Sequence, residues 1–181
     1  MTDRPAIVAA AESLLNDGGF STTGMDRIIR AAGVSSRTLY KQLGSRAELI
    51  AAVLDARHGR FLATLPSDGV AGLFAALAGW TAVEGARGCL FLRALSEAGG
   101  GDPAIERRVK AHKEAMRRRI ADCVRHDLGR ADERLAEQIL VLFEGATHAA
   151  IYRGGEAIEA AALAAATLIR AAGPEAATGD G

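Results

Sequence analysis

The chain has no net charge, since 22 lysines and arginines balance 22 aspartates and glutamates. A bulk electrostatic attraction to nucleic acid is thereby excluded, because neutralising phosphates takes clustered cations. Cysteine is scarce as well. Cys89 and Cys123 are too few and too far apart for a disulfide framework or a CxxC metal site, so two buried, reduced thiols are expected. No apolar run approaches the roughly 20 residues that span a bilayer. The opening MTDRPAIVAAAESLL mixes acids with its apolar residues and has no basic leader, so no secretory signal is expected and the chain is expected in the cytoplasm. His58, His112, His126 and His148 have no HExxH spacing, and neither a GxSxG elbow nor a Gly-rich phosphate loop is present. Catalysis, metals and cofactors are therefore not expected. Sheet is disfavoured too, because β-branched residues are sparse and no stretch alternates between apolar and polar.

What is present is helical pattern. Asp3 can cap a first helix with Pro5 in its opening turn, Ile7, Val8, Ala11, Leu14 and Leu15 share one face, and Gly18-Gly19 ends it. Thr23 is the next candidate cap, for a short helix over about 24 to 31 that closes at Gly33. Ser35 can cap another, and Ser45 with Glu48 forms an S-x-x-E capping box for a helix running toward Pro66. Two short helices joined by a glycine-containing turn make a helix-turn-helix. Residues 66 to 69, PSDG, read as a seam. Further helices are expected over about 69–84 and 89–98, from Asp102-Pro103 to about Leu128, over 131–153 and over 156–172.

The positive charge is local. Between residues 24 and 46 stand Arg27, Arg30, Arg37, Lys41 and Arg46 against the single acid Asp26. In and around this segment Gly19-Phe20, Thr23, Ile28, Ala31-Ala32-Gly33-Val34-Ser35, Thr38-Leu39-Tyr40 and Ser45-Arg46-x-Glu48-Leu49 together resemble the N-terminal DNA-binding domain of TetR-type (TetR/AcrR) transcriptional regulators. The likeness covers roughly the first 55 residues. It departs from the usual pattern at Leu43, where an aromatic is commoner, and at Arg46, where lysine is. RGCLF, AHKEAMRRR and LAEQILVLFEGA look like one branch of the family's ligand-binding domains.

The resemblance implies an all-α fold. Residues 1–50 would form a three-helix helix-turn-helix DNA-binding domain, 51–173 a larger helical domain for ligand binding and dimerisation, and 174–181 a flexible tail. It implies a dimeric repressor of double-stranded operator DNA, released by a small apolar or amphipathic effector. An activator, or a thiol sensor working through Cys89 or Cys123 beside Arg87 or Arg125, keeps the same fold.

An α-helix in the major groove reaches base edges with its early, outward residues. Ser35, Ser36, Arg37 and Lys41 qualify, and Arg37 can pair with guanine O6 and N7. The resemblance assigns Thr38, Tyr40 and Arg46 to phosphates, and Thr23 can add a backbone N–H. Blander roles stand beside these: Ser35 as a cap only, Tyr40 as partly core, Lys41 as a solvated cation. For the effector, Phe74, Leu77, Trp80, Thr81, Phe91, His112, Met116, Phe143 and Tyr152 form a mostly apolar candidate lining, with core packing as the alternative for Trp80, His112 and Met116. The dimer surface is expected from Leu135, Ile139, Leu142, Phe143, Ala146 and Ala150 on one helix and Ile158, Ala162, Ala165, Leu168 and Ile169 on the next, paired as a four-helix bundle. The run Arg117-Arg118-Arg119 with Lys110 and Lys113 reads as a solvated helix face or an anion site.

Overall fold

The computed structural model describes residues 3–98 and 101–173; the tail expected at 174–181 lies outside them. Among the described residues the secondary structure is helical throughout: α1 Arg4–Gly18, α2 Met25–Ala32, α3 Ser36–Leu43, α4 Arg46–Thr64, α5 Val70–Glu84, α6 Leu90–Glu97, α7 Pro103–Leu128, α8 Glu133–Arg153 and α9 Gly155–Ala172. Local side-chain caps start several of them, satisfying the N–H groups that a helix leaves open. Asp3 accepts from Ala6 at 3.1 Å, Ser35 from Thr38 at 3.1 Å, Asp102 from Ala104 at 2.8 Å and Asp132 from Leu135 at 3.0 Å. The capping box forms in both directions: Ser45 N–H donates to Glu48 at 2.7 Å and Glu48 N–H to Ser45 Oγ at 3.2 Å.

The chain divides into two packed units, and their boundary is not at residue 50. The first runs to Arg60 and also takes in Cys89–Lys113; the second is made of Phe61–Gly88 and the chain from Glu114. The reason is apolar burial. Leu90, Phe91, Ile105 and Val109 complete the core that Ile7, Leu15, Phe20, Ile28, Leu39, Ile50 and Leu54 begin, so the first unit draws in α6 and the start of α7. The chain passes from one unit to the other inside α4, before Cys89 and again inside α7, and the stretch read as a seam, 66 to 69, belongs to the second unit.

Within the first unit α1 and α4 are also tied by charge. Glu12 is buried and accepts from Arg57 at 3.1 Å and from Arg60 at 2.6 and 3.0 Å. A buried carboxylate is tolerated only with such partners. In the second unit α8 packs on α9 and both on α5, around a core that includes Leu73, Phe74, Ile120, Val124, Ile139, Phe143 and Ile158. The stretch 66 to 69 is held by α7: Asp127 accepts the Val70 N–H at 2.9 Å, capping a helix whose own N-cap is Gly69, and Arg119 donates to the Leu65 carbonyl.

Candidate nucleic-acid interface

Helices α2 and α3 pack on each other and on α1. Gly33 joins them at φ 64, ψ 32, the left-handed conformation that glycine adopts without a Cβ penalty. From α3, Leu39 and Leu43 enter the core, which leaves Ser36, Arg37, Tyr40 and Lys41 exposed. Tyr40 keeps 48 % of its surface, unusual for an aromatic that packing alone would explain. Ser35 is exposed but engaged, since its Oγ accepts the Thr38 N–H and lies 2.9 Å from Thr38 Oγ1. Arg27 and Arg30 of α2 are exposed too, which adds positive charge beside α3.

Two of the expected DNA-facing residues have side chains engaged within the protein. Thr23 is fully buried and does not cap α2; Gly24 holds that position and makes no side-chain bond, while Thr23 Oγ1 donates to the Leu14 carbonyl at 3.2 Å. Arg46 turns inward. Its guanidinium donates to the Thr23 carbonyl at 2.8 Å and to the Phe20 carbonyl, which ties the start of α4 to the turn before α2. The only sequence hint of this was arginine in place of the commoner lysine, because a planar fork serves two acceptors where an ammonium is a point charge.

Residues 7–53 match the family model for bacterial regulatory proteins of the tetR family. Solved structures that share the fold include the TetR-family transcriptional regulator SCO4454 from Streptomyces coelicolor, with TM-score 0.80, 23 % identity and coverage of 93 % of this chain and 95 % of that one. A TetR transcription regulator from Haloarcula marismortui has TM-score 0.77 at 20 % identity over 92 % and 96 % of the two chains. A putative regulator from Streptomyces avermitilis has TM-score 0.77 at 24 % identity over 93 % and 97 %. The chain carries a TetR-type N-terminal domain on a TetR-family fold. No curated protein is detectably similar to it in sequence.

The candidate effector residues divide between the two units. Phe91 and His112 belong to the first, with their rings stacked at 3.6 Å and His58 Nδ1 3.1 Å from His112 Nδ1. Burial, aided by the Lys113 and His58 charges, depresses the His112 pKa to about 3, so the ring is neutral at physiological pH. Phe74, Leu77, Met116 and Phe143 are buried in the second unit, where the Phe74 and Phe143 rings lie 5.7 Å apart and Trp80 stands edge-on to Phe61 at 4.9 Å. Thr81 bonds back to the Ala78 carbonyl, and Tyr152 is 78 % exposed. Tyr152 is thus not enclosed: it sits at the end of α8 on the side away from the core.

The dimer surface also needs correction. Leu135, Ile139, Ala146, Ala150, Ile158 and Ala165 are buried inside their own unit, as is Phe143, because α5 and the α8–α9 pair enclose them. Leu142, Ala162, Leu168 and Ile169 are half-buried. The apolar side chains left in solvent are others: Val141 at 70 %, Leu163 at 71 %, and Ile151. Val141, Gly145, Ala149, Ala157, Ala160 and Ala164, together with Leu142 and Ala146 of the expected set, line a mostly apolar groove of about 480 Å³ between α8 and α9, with Arg153 and Glu156 at its charged end.

The arginine run is taken up by carboxylates and a carbonyl. Arg117 pairs with Glu114 at 3.0 Å and Glu133 at 3.3 Å, Arg118 with Glu114 at 3.7 Å, and Arg119 holds Leu65. Cys123 is fully buried beside the Pro66 carbonyl, and burial raises its pKa, the opposite of an activated thiol. Arg125 pairs with Asp122 at 2.9 Å, and the cation beside Cys89 is Lys113, at 3.3 Å.

Proposed function

We propose that the chain is a homodimeric, sequence-specific DNA-binding transcriptional regulator that reads a near-palindromic operator with α3. The exposure of Ser36, Arg37, Tyr40 and Lys41 on a short helix whose other side is core carries this reading. Ser36, Arg37 and Lys41 face base edges; Thr38 and Tyr40 face phosphates; Ser35 serves first as the cap. A single helix of this length covers too few base pairs for a selective address. Two copies on a two-fold axis read half-sites about 34 to 36 Å apart, or a multiple of that. The face around Val141, Gly145, Ala160 and Leu163 supports pairing, since small residues let helices approach closely and Val141 and Leu163 stay largely exposed among the described residues. The regulator acts as a repressor released by a small apolar or amphipathic effector, which favours a dimer geometry that no longer fits the groove. The aromatic interior of the second unit, Phe61, Phe74, Trp80 and Phe143, supports that chemistry of effector.

Selection of bound duplexes from a random pool, followed by affinity measurements on the best duplex and a scrambled control across salt concentrations, tests the proposal. A near-palindromic site bound far more tightly than the control supports it. Equal, salt-labile binding to both leaves only the phosphate attraction and defeats it.

A further inference from the structure

Two oppositely charged side chains grip a single residue in the turn that leads into α2. Glu97 Oε2, from the last turn of α6, accepts the Phe20 N–H at 2.7 Å, and Arg46, from the first turn of α4, donates to the Phe20 carbonyl and to that of Thr23. Between these bonds the Phe20 ring is fully buried, so the main chain cannot shift without disturbing a close-packed core. Arg93 steadies the carboxylate by an ion pair at 3.4 Å and donates to the Asn16 carbonyl at 3.1 Å, so α6 also holds the end of α1. Gly19, at φ 86, leaves the space the carboxylate occupies: a Cβ there would stand 2.9 Å from Glu97 Oε2. Burial alone would raise the Glu97 pKa, but the Phe20 N–H and the Arg93 guanidinium outweigh it, and the carboxyl is held below its ordinary value.

The turn sets how the chain enters α2, and α2 packs on α3. We propose that Arg46 and Glu97 are positioning residues for DNA recognition, which clamp the Gly19–Thr23 turn from two sides and so fix the angle at which α3 meets the groove, without themselves touching DNA. This rests on the DNA-reading function proposed above. It reverses two ordinary expectations. Removing an acid normally strengthens DNA binding by relieving repulsion, whereas removing a positioning acid weakens it. A phosphate-binding arginine tolerates lysine and contributes about one unit to the salt slope, whereas two diverging carbonyls need the forked guanidinium and contribute nothing to that slope.

The experiment uses the full-length protein, the best duplex selected from a random pool, a scrambled duplex, and the variants Glu97→Ala, Glu97→Gln, Arg46→Lys and Arg46→Ala. Amide hydrogen exchange without DNA is read alongside. Glu97→Ala and Arg46→Lys are expected to lose about tenfold on the selected duplex, the equivalent of one charge-assisted hydrogen bond. They should keep the wild-type slope of log K against log salt, leave scrambled binding undiminished and speed exchange at Phe20. Glu97→Gln, whose amide oxygen can still accept from Phe20, recovers part of the loss and guards against misreading an unfolded Glu97→Ala. Normal binding by Glu97→Ala, or normal binding by Arg46→Lys with a slope shallower by about one in Arg46→Ala, overturns the proposal. A wild-type chain that selects no sequence removes the DNA reading and the proposal with it; intact wild-type selection with unaffected variants removes the positioning role alone.

Discussion

Arg37 and Tyr40 are both exposed on α3, one turn apart, yet their loss should have different consequences. Arg37→Ala is expected to cost about 1 to 3 kcal/mol on the selected duplex and little on a scrambled one, because a bidentate base contact carries sequence preference. Tyr40→Phe is expected to weaken both alike, because a phosphate contact positions without reading. Fluorescence anisotropy on the two duplexes checks the pair; equal losses for Arg37→Ala would count against base readout. His112 gives a prediction of another kind. Its folded pKa of about 3 lies below the ordinary 6.5, so as pH falls below about 6.5 the unfolded chain binds a proton that the folded chain refuses. Stability should therefore drop between about pH 6.5 and 3 by up to about 1.4 kcal/mol per pH unit, and be unaffected by this group above that window. Urea midpoints at pH 7 and pH 5 check this, with the dependence flattened in His112→Gln. The exposed residues of α3 were legible in the sequence because their pattern is local. Thr23 and Arg46 were not: each bonds a carbonyl far along the chain, Thr23 to Leu14 and Arg46 to Phe20 and Thr23, and nothing in the spacing of a hydroxyl or a guanidinium names a distant main-chain acceptor.

For the helices, the caps at Asp3, Ser35, Asp102 and Ser45–Glu48 could be read directly, since a cap and the N–H it satisfies lie within three residues. The second helix was shifted by one position because Gly24, which has no side chain to announce it, took the capping place from Thr23. Helix α5 shows the limit of local reading, for its capping oxygen comes from Asp127. The turn between α2 and α3 offers a test. A Cβ at Gly33 would meet nothing within 4 Å, so Gly33→Ala carries only the cost of the left-handed backbone, about 1 to 2 kcal/mol. Thermal unfolding should show that loss with the fold retained, and a loss well above that range would mean the turn is strained by contacts the structure does not have.

On the scale of the whole molecule, periodicity located α8 and α9 but not their outward face. Apolar residues stand on more than one face of each helix, so two faces compete for the core, and burial decided for Leu135, Ile139, Ala146, Ala150, Ile158 and Ala165 while Val141 and Leu163 stayed exposed. The pairing prediction therefore moves to Leu163, which a charge can replace without entering the core. Leu163→Asp should leave the thermal midpoint of the monomer fold nearly unchanged, shift sedimentation toward the monomer and reduce operator affinity by roughly a hundredfold or more, the size of the lost bivalent advantage. A variant that stays dimeric would place the interface elsewhere. The first unit's two-part make-up bears on how such a protein can be rearranged. A graft of residues up to Arg60 onto a foreign partner would leave behind Leu90, Phe91, Ile105 and Val109, and with them Glu97, the acid on the Phe20 turn. Its apolar side would be uncovered and its lead-in to α2 released. Exchange of DNA addresses between chains of this design has to carry two separate stretches at once, so recombination at a single crossover point would yield a headpiece without its keel.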